Sequence, residues 1–250
     1  MTTYTVAVVS AGLSEPSSTK LLADRLAQAV RRDAARRGVR VEIVDVPLRG
    51  LARPIADTFV TGFAPPALQA ALESVYAADA LIAVSPVFSA SYSGLFKSFF
   101  DAADPQGFSG KPVLLAATGG SARHSLVLDY AMRPLFAYLK AEPVATGVFA
   151  ATADFGSDSD SAAGGDLDRR IEQAGRQLVA ALAEAVPAVA PPASTGADAF
   201  DVEDEIAADA VDRAARVHLG PEPSQLEARR RRDADPFDNL IPFERLLHHS

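Results

Sequence analysis

Three short stretches hold the residues able to do chemistry. The first, Ser10-Ala11-Gly12-Leu13-Ser14-Glu15-Pro16-Ser17-Ser18-Thr19, is rich in hydroxyls and leads into a helical pattern. Backbone N–H groups and the helix dipole favour an anion at such a junction. A dinucleotide fingerprint needs three glycines at fixed spacing, and a P-loop needs Gly before Lys-Ser/Thr. This stretch has one glycine and neither pattern. It suits a terminal monophosphate: Ser10, Ser17, Ser18 and Thr19 can each donate to a phosphate oxygen, with Lys20 at the edge. The plainer role for Ser17 or Ser18 is a helix N-cap.

The second stretch, Ser85-Pro86-Val87-Phe88-Ser89-Ala90-Ser91-Tyr92-Ser93-Gly94, combines small residues with two aromatics. A flat heteroaromatic ring needs a wall of backbone and an aromatic neighbour, and exposed N–H groups here can address a ring nitrogen or carbonyl. Ser93-Gly94 also reads as a helix cap, and Tyr92 with Lys97 as a surface pair. The third stretch, Ala117-Thr118-Gly119-Gly120-Ser121-Ala122-Arg123-His124, offers two glycine amides of the kind that bind a carbonyl or an anion. Its simpler reading is a strand-to-helix turn.

The elements around these stretches follow from periodicity. Tyr4 to Val9 is a β-branched run that ends at Ser10 and Gly12, as a buried strand does. Leu21-Leu22, Leu26 and Ala29-Val30 repeat at helical spacing and stop at Gly38. Further strands are expected over Val39 to Val46, Ala80 to Ser85, Val113 to Thr118 and Val144 to Ala151, with helices over Ala67 to Tyr76, Ser93 to Ala103, Leu126 to Lys140 and Asp166 to Val186. Strands alternating with helices imply a parallel sheet covered on both faces, because each crossover is long and right-handed. The expected fold is α/β: a flavodoxin-like three-layer αβα domain with five parallel strands in the order 2-1-3-4-5. Ligands in such folds sit beyond the C-terminal ends of the strands, where the three stretches lie.

Composition narrows the function. The 250 residues contain no Cys, which excludes disulfides, thiolate metal sites and a cysteine nucleophile, and the four His residues form no ligand pair on a helical face. The expected metal content is none. Net charge is −8, most of it in the last quarter. The near-neutral body has no basic stripe, which argues against nucleic acid. No long apolar run and no basic leader are present, so neither a membrane span nor a secretory signal is expected, and the chain reads as cytoplasmic. Residues 1–186 form the expected domain. Residues 187–250 begin with the linker-like Pro187 to Gly196 and continue as an acidic C-terminal tail, partly helical or disordered, with an apolar cluster from Pro236 to Leu247.

Residues 85–97 and 117–135 resemble the NAD(P)H-dependent FMN reductases that supply two-component monooxygenases, such as those of alkanesulfonate use; the likeness spans roughly residues 4–152. The ending Pro242-Phe243-Glu244-Arg245-Leu246-Leu247 is similar to that of an actinobacterial branch partnering luciferase-like monooxygenases. The resemblance implies FMN and NADPH or NADH as cofactors, with FMNH2 passed to a partner flavin-dependent monooxygenase. It places the FMN phosphate on Ser10, Ser17, Ser18 and Thr19. Pro86, Val87, Phe88 and Ser89 would run along the isoalloxazine, Ser93 is a further expected FMN-binding residue, and Thr118, Gly119, Gly120 and Ser121 would meet the pyrimidine edge. Asp129-Tyr130-Ala131 would sit at a homodimer or homotetramer interface. Two departures stand out: Phe88 replaces a tyrosine common among relatives, and the tail is longer than in the alkanesulfonate reductases.

Hydride transfer from nicotinamide to flavin N5 needs stacked rings and no obligatory side-chain acid or base, so no catalytic side chain is expected. Arg123 is the candidate for the nicotinamide nucleotide, by pairing with a ribose phosphate; His124, Asp101 and Asp129 are candidates for nicotinamide contact or structure. Competing readings use the same loops. A quinone or azo reductase would keep FMN tightly. A flavodoxin-like electron carrier would sandwich the ring between aromatics, for which only Phe88 and Tyr92 are available. A non-enzymatic interaction protein would leave the three stretches unexplained.

Overall fold

The computed structural model describes residues 2–155 and 162–185. In chain order the elements are β1 (Thr3–Ser10), α1 (Ser18–Arg36), β2 (Arg40–Pro47), α2 (Ala52–Thr61), α3 (Pro66–Ala77), β3 (Ala80–Phe88), β4 (Ser91–Tyr92), α4 (Gly94–Asp101), β5 (Pro112–Gly119), α5 (Arg133–Tyr138), β6 (Glu142–Pro143), β7 (Val148–Ala151), α6 (Thr152–Phe155) and α7 (Ala162–Ala185). The sheet runs β2-β1-β3-β5 in parallel, and both β6 and β7 pair with the far side of β5. This is the expected strand order, with the last position split in two. The register sets Ser10 opposite Pro47 and Val84, and Pro86 opposite Thr118, so the C-terminal strand ends and their loops collect on one side.

Alternation along the strands builds the three layers. Val6, Val8, Ile82, Val84, Leu114 and Ala116 pack with Leu22, Leu26 and Val30 of α1 and with Ile171 and Leu178 of α7. Ala7, Val9, Leu81, Ala83, Val113 and Leu115 face the other way, onto a cluster that includes Leu68, Phe96, Phe100 and Phe136. Strands buried on both faces read as continuous apolar runs, which is why they were visible in the sequence.

Three local features depart from expectation. The helix expected over 126–140 opens as a π turn, Leu128–Met132, before α5. Pro134 has no N–H, and its ring crowds the carbonyl four residues earlier, so the chain widens there. The strand expected over 144–151 is interrupted, because side chains take over its backbone partners. Arg133 donates to the Val144 and Ala145 carbonyls at 3.2 and 2.6 Å, and Gln177 Oε1 accepts from Thr146 N–H at 2.8 Å. Helix α2 is absent from the expected elements; it is short, and although Ile55 and Phe59 share helical spacing, only Ile55 is buried. Val186, the expected end of the last helix, and the acidic tail, 187–250, lie outside the described residues. Among the described residues, no helix is long and apolar enough to cross a membrane.

Candidate functional site

The loops after β1, β3, β5 and β7 surround a cleft of about 330 Å³, at the small end of the roughly 300–1,000 Å³ typical of ligand sites. Leu13, Ser14, Ser18 and Thr19 line it from the β1–α1 loop and the start of α1. Pro86, Val87 and Phe88 form a second wall, Thr118, Gly119 and Gly120 a third, and Thr152 and Phe155 of α6 a fourth. None of these twelve residues is ionisable.

The first wall is built around the N-terminus of α1. Ser17 is its N-cap, with its hydroxyl accepting from Lys20 N–H at 3.2 Å. The Ser18 and Thr19 amides belong to the first turn, which has no intrahelical carbonyls to bond. Thr19 is 2 % exposed, and its hydroxyl lies 2.8 Å from the Thr118 hydroxyl, one donating to the other, so the first and third loops are tied beneath the cleft. Ser10 is buried at the strand end. The loop packs closely at Gly12, where a Cβ would stand 2.1 Å from Ser17 Oγ.

Cations beside this wall are engaged elsewhere. Lys20 pairs with Asp24 and, at 3.1 Å, with Asp45. Partial burial disfavours its charge, but the two carboxylates outweigh that and raise its pKa above the usual lysine value. Arg49 pairs with Glu15 at 2.5 Å. The anion-favouring elements facing the cleft are therefore neutral donors and the end of a helix dipole.

The second wall ends in a tight hairpin. Val87 pairs with Tyr92 and Phe88 with Ser91, and Ser89 and Ala90 form the turn with φ of 48° and 66°. Positive φ at both central residues is the geometry of a type I′ turn, which usually recruits Asn or Gly. The hairpin presents Phe88, 48 % exposed, at the mouth of the cleft. Ser93 is buried and caps α4, accepting from Phe96 N–H at 3.1 Å. In the third wall, a Cβ on Gly119 would come within 2.9 Å of Phe149, whereas Gly120 has open space around it. Ser121 caps the short turn Ala122–His124, and the Arg123 side chain is exposed with no carboxylate partner among the described residues.

Of the residues chosen from sequence, Ser18, Thr19, Pro86, Val87, Phe88, Thr118, Gly119 and Gly120 meet on this cleft. Ser10, Ser17, Ser89, Ser93, Ser121 and Arg123 stand around it without lining it. Leu13 and Ser14, inside the first stretch, were not singled out, and Thr152 and Phe155 were missed. The latter pair follows the last strand, and the rule that ligands sit beyond strand ends was the signal that could have found it.

A larger hollow of about 680 Å³ lies between α4 and the π turn with α5, lined by Tyr92, Lys97, Asp101, Tyr130 and Tyr138 among others. Despite its size it is flanked by helices rather than by strand ends. Lys97 is paired with Asp101, and Asp129 with Arg133 at 2.8 Å. Tyr130 and Tyr138 are 79 % and 76 % exposed.

Residues 4–156 match the family described as NADPH-dependent FMN reductase. The chain is 40 % identical over 152 residues to the FMN reductase (NADPH) of Pseudomonas aeruginosa, covering 61 % of this chain and 79 % of that one. It is 38 % identical over 150 residues to the NADH-dependent FMN reductase SfnF of Pseudomonas fluorescens, covering 60 % and 78 %. A solved oxidoreductase structure from Corynebacterium diphtheriae superposes with a TM-score of 0.70 at 42 % identity, over 74 % of this chain and 99 % of that one.

Proposed function

Since the chain belongs to the NADPH-dependent FMN reductase family, and is thus an NAD(P)H:FMN oxidoreductase, we propose that the cleft at the strand ends takes FMN as an exchangeable substrate and releases it reduced to a flavin-dependent monooxygenase. The observation that carries this reading is the absence of any ionisable residue among the twelve that line the cleft. A phosphate held by hydroxyls, first-turn amides and a helix dipole is oriented without the tight grip of a bidentate arginine.

The FMN phosphate goes to the start of α1, where Ser14, Ser18 and Thr19 face the cleft. Ser10 and Ser17 shape that wall from behind. Pro86, Val87 and Phe88, followed by Ser89, border the ring, and Thr118, Gly119 and Gly120, with Ser121 beyond them, meet its polar edge. Neutral donors fit this group, and Phe88 at the mouth gives its flat ring an aromatic neighbour. Bound FMN supplies a ring that accepts hydride from a nicotinamide. The chain's part is to hold that ring, leave one face open and keep its own charges away. With no titratable side chain among the described residues that line the cleft, we assign catalysis to positioning.

Arg123 is the group we assign to the nicotinamide nucleotide, because its guanidinium is exposed on the third loop and has no carboxylate partner among the described residues. The Tyr130 and Tyr138 face is assigned to contact between copies of this chain in a dimer or tetramer. Relatives are named for NADPH and for NADH, so both nucleotides belong in the test.

The test is the visible spectrum of the purified protein, followed by NADH and NADPH oxidation with and without added FMN. A nearly colourless protein whose turnover requires free FMN is the expected result. A yellow protein that keeps its flavin through gel filtration and reduces a quinone without added FMN would refute exchangeable binding in favour of a quinone or azo reductase.

A further inference from the structure

Ser85 lies within β3, one residue before the second wall of the cleft, and is 0 % exposed. Its hydroxyl makes two hydrogen bonds: it donates to the Pro86 carbonyl at 2.9 Å and accepts from Ser93 N–H at 2.9 Å. The first bond turns the Pro86 carbonyl towards Ser85. A planar trans peptide then sends the Val87 N–H the opposite way. The second bond spans eight residues and closes the base of the hairpin that carries Phe88.

That hairpin needs closing. It has two residue pairs, and its turn places a serine and an alanine in the left-handed region, which L-residues with a Cβ resist. An isolated two-stranded hairpin is marginal in water even without such strain. Ser93 N–H is buried with its residue and meets the Ser85 hydroxyl; without that hydroxyl a buried donor is orphaned.

We propose that Ser85 is a positioning residue for flavin: through its two bonds it sets the Pro86–Val87 peptide and holds the strained Ser89–Ala90 hairpin, so that the second wall of the cleft is formed before flavin arrives. The proposal rests on the reading of the cleft as the FMN site. Ser85 touches no ligand; it acts through Val87 and Phe88.

The experiment compares wild type, Ser85→Ala, Ala90→Gly and the double variant, with thermal midpoints recorded and rates normalised to folded protein. Loss of the clamp raises the KM for FMN in Ser85→Ala about tenfold, as expected for one hydrogen bond's worth of ordering. The kcat at saturating FMN and the KM for NADPH stay the same. Relief of turn strain by Ala90→Gly brings the KM of the double variant back towards wild type, an outcome that loss of core packing alone does not produce. Amide hydrogen exchange over residues 86–93, faster in Ser85→Ala and slowed again in the double variant, reads the hairpin independently of turnover.

An unchanged FMN KM in Ser85→Ala, or a KM that Ala90→Gly fails to restore, overturns the proposal, as does unchanged exchange. A wild type that reduces FMN with neither nucleotide refutes the cleft assignment instead, and the exchange data then decide alone whether Ser85 holds the hairpin.

Discussion

Replacing Gly12 by Ala tests how the anion end of the cleft is built. The added Cβ would lie 2.1 Å from Ser17 Oγ and 3.2 Å from the Cβ atoms of Ser17 and Thr19. Ser17 can escape only by rotating its hydroxyl out of the N-cap, which sacrifices its 3.2 Å bond from Lys20 N–H. Loss of such a cap costs about 1 kcal/mol. The two 3.2 Å contacts remain and push the loop by a few tenths of an ångström, so the total is about 1–2 kcal/mol, a fall in melting temperature of roughly 2–8 °C for a domain of this size. The shifted loop carries Ser14 and the first-turn amides with it, so the KM for FMN rises while kcat at saturation holds. The decisive assay is a double-mutant cycle with Ser17→Ala. That variant loses the cap by itself and also removes the atom at 2.1 Å, so Gly12→Ala should add little in its background. A coupling of about 1 kcal/mol is expected, beyond the roughly 0.3–0.5 kcal/mol scatter of independent sites. Additive effects would refute the reasoning.

Other perturbations separate site from scaffold. Thr118→Val removes the hydroxyl that meets Thr19 in a buried position; stability should drop by about 1–3 kcal/mol in urea melts, with a raised FMN KM, and an unaltered KM would count against the joined first and third loops. Arg123→Ala should raise the KM for NADPH several-fold and leave that for NADH alone; equal effects on both would place the guanidinium away from the ribose phosphate. Lys111 sits at the opposite end of the sheet, 8 % exposed, donating to the Val75 and Tyr76 carbonyls at 3.0 Å and to that of Ala78. Lys111→Met orphans those carbonyls at the end of α3 and should cost roughly 2–3 kcal/mol without altering FMN KM. Burial holds the Lys111 pKa below the usual 10.5, with Asp79 opposing the shift. Between the depressed folded value and 10.5 the unfolded chain binds more protons, so this group's contribution to stability grows as pH rises through that window and is lost as pH falls through the folded value. Urea midpoints of wild type should therefore gain on those of Lys111→Met as pH approaches 10.5, and parallel curves would contradict the assignment.

The strand order and both core layers were legible because fully buried parallel strands are written as unbroken apolar runs, and amphipathic helices such as α1 carry their burial in their spacing. Helix α2 shows the limit of that signal: Ile55 and Phe59 stand at helical spacing, yet only Ile55 is buried, so its pattern does not report its packing. The break between β6 and β7 was equally hidden, since it depends on side chains from two helices, Arg133 just upstream and Gln177 thirty-one residues on.

At the site, the chain alone determined which loops matter and what kind of groups they offer, because the order of strands and helices places those loops at one edge and their composition is local. Only the tertiary structure decided which hydroxyl does what. The caps at Ser17 and Ser93 use amides three residues on and were already open in the sequence, whereas Thr19 meets Thr118 across ninety-nine residues. It also brought Thr152 and Phe155 to the fourth wall and drew Lys20 and Arg49 aside onto carboxylates. A hydroxyl or a cation is the same letter in the sequence whether it faces a ligand or a neighbour, and the partner that settles the matter arrives only when distant segments pack.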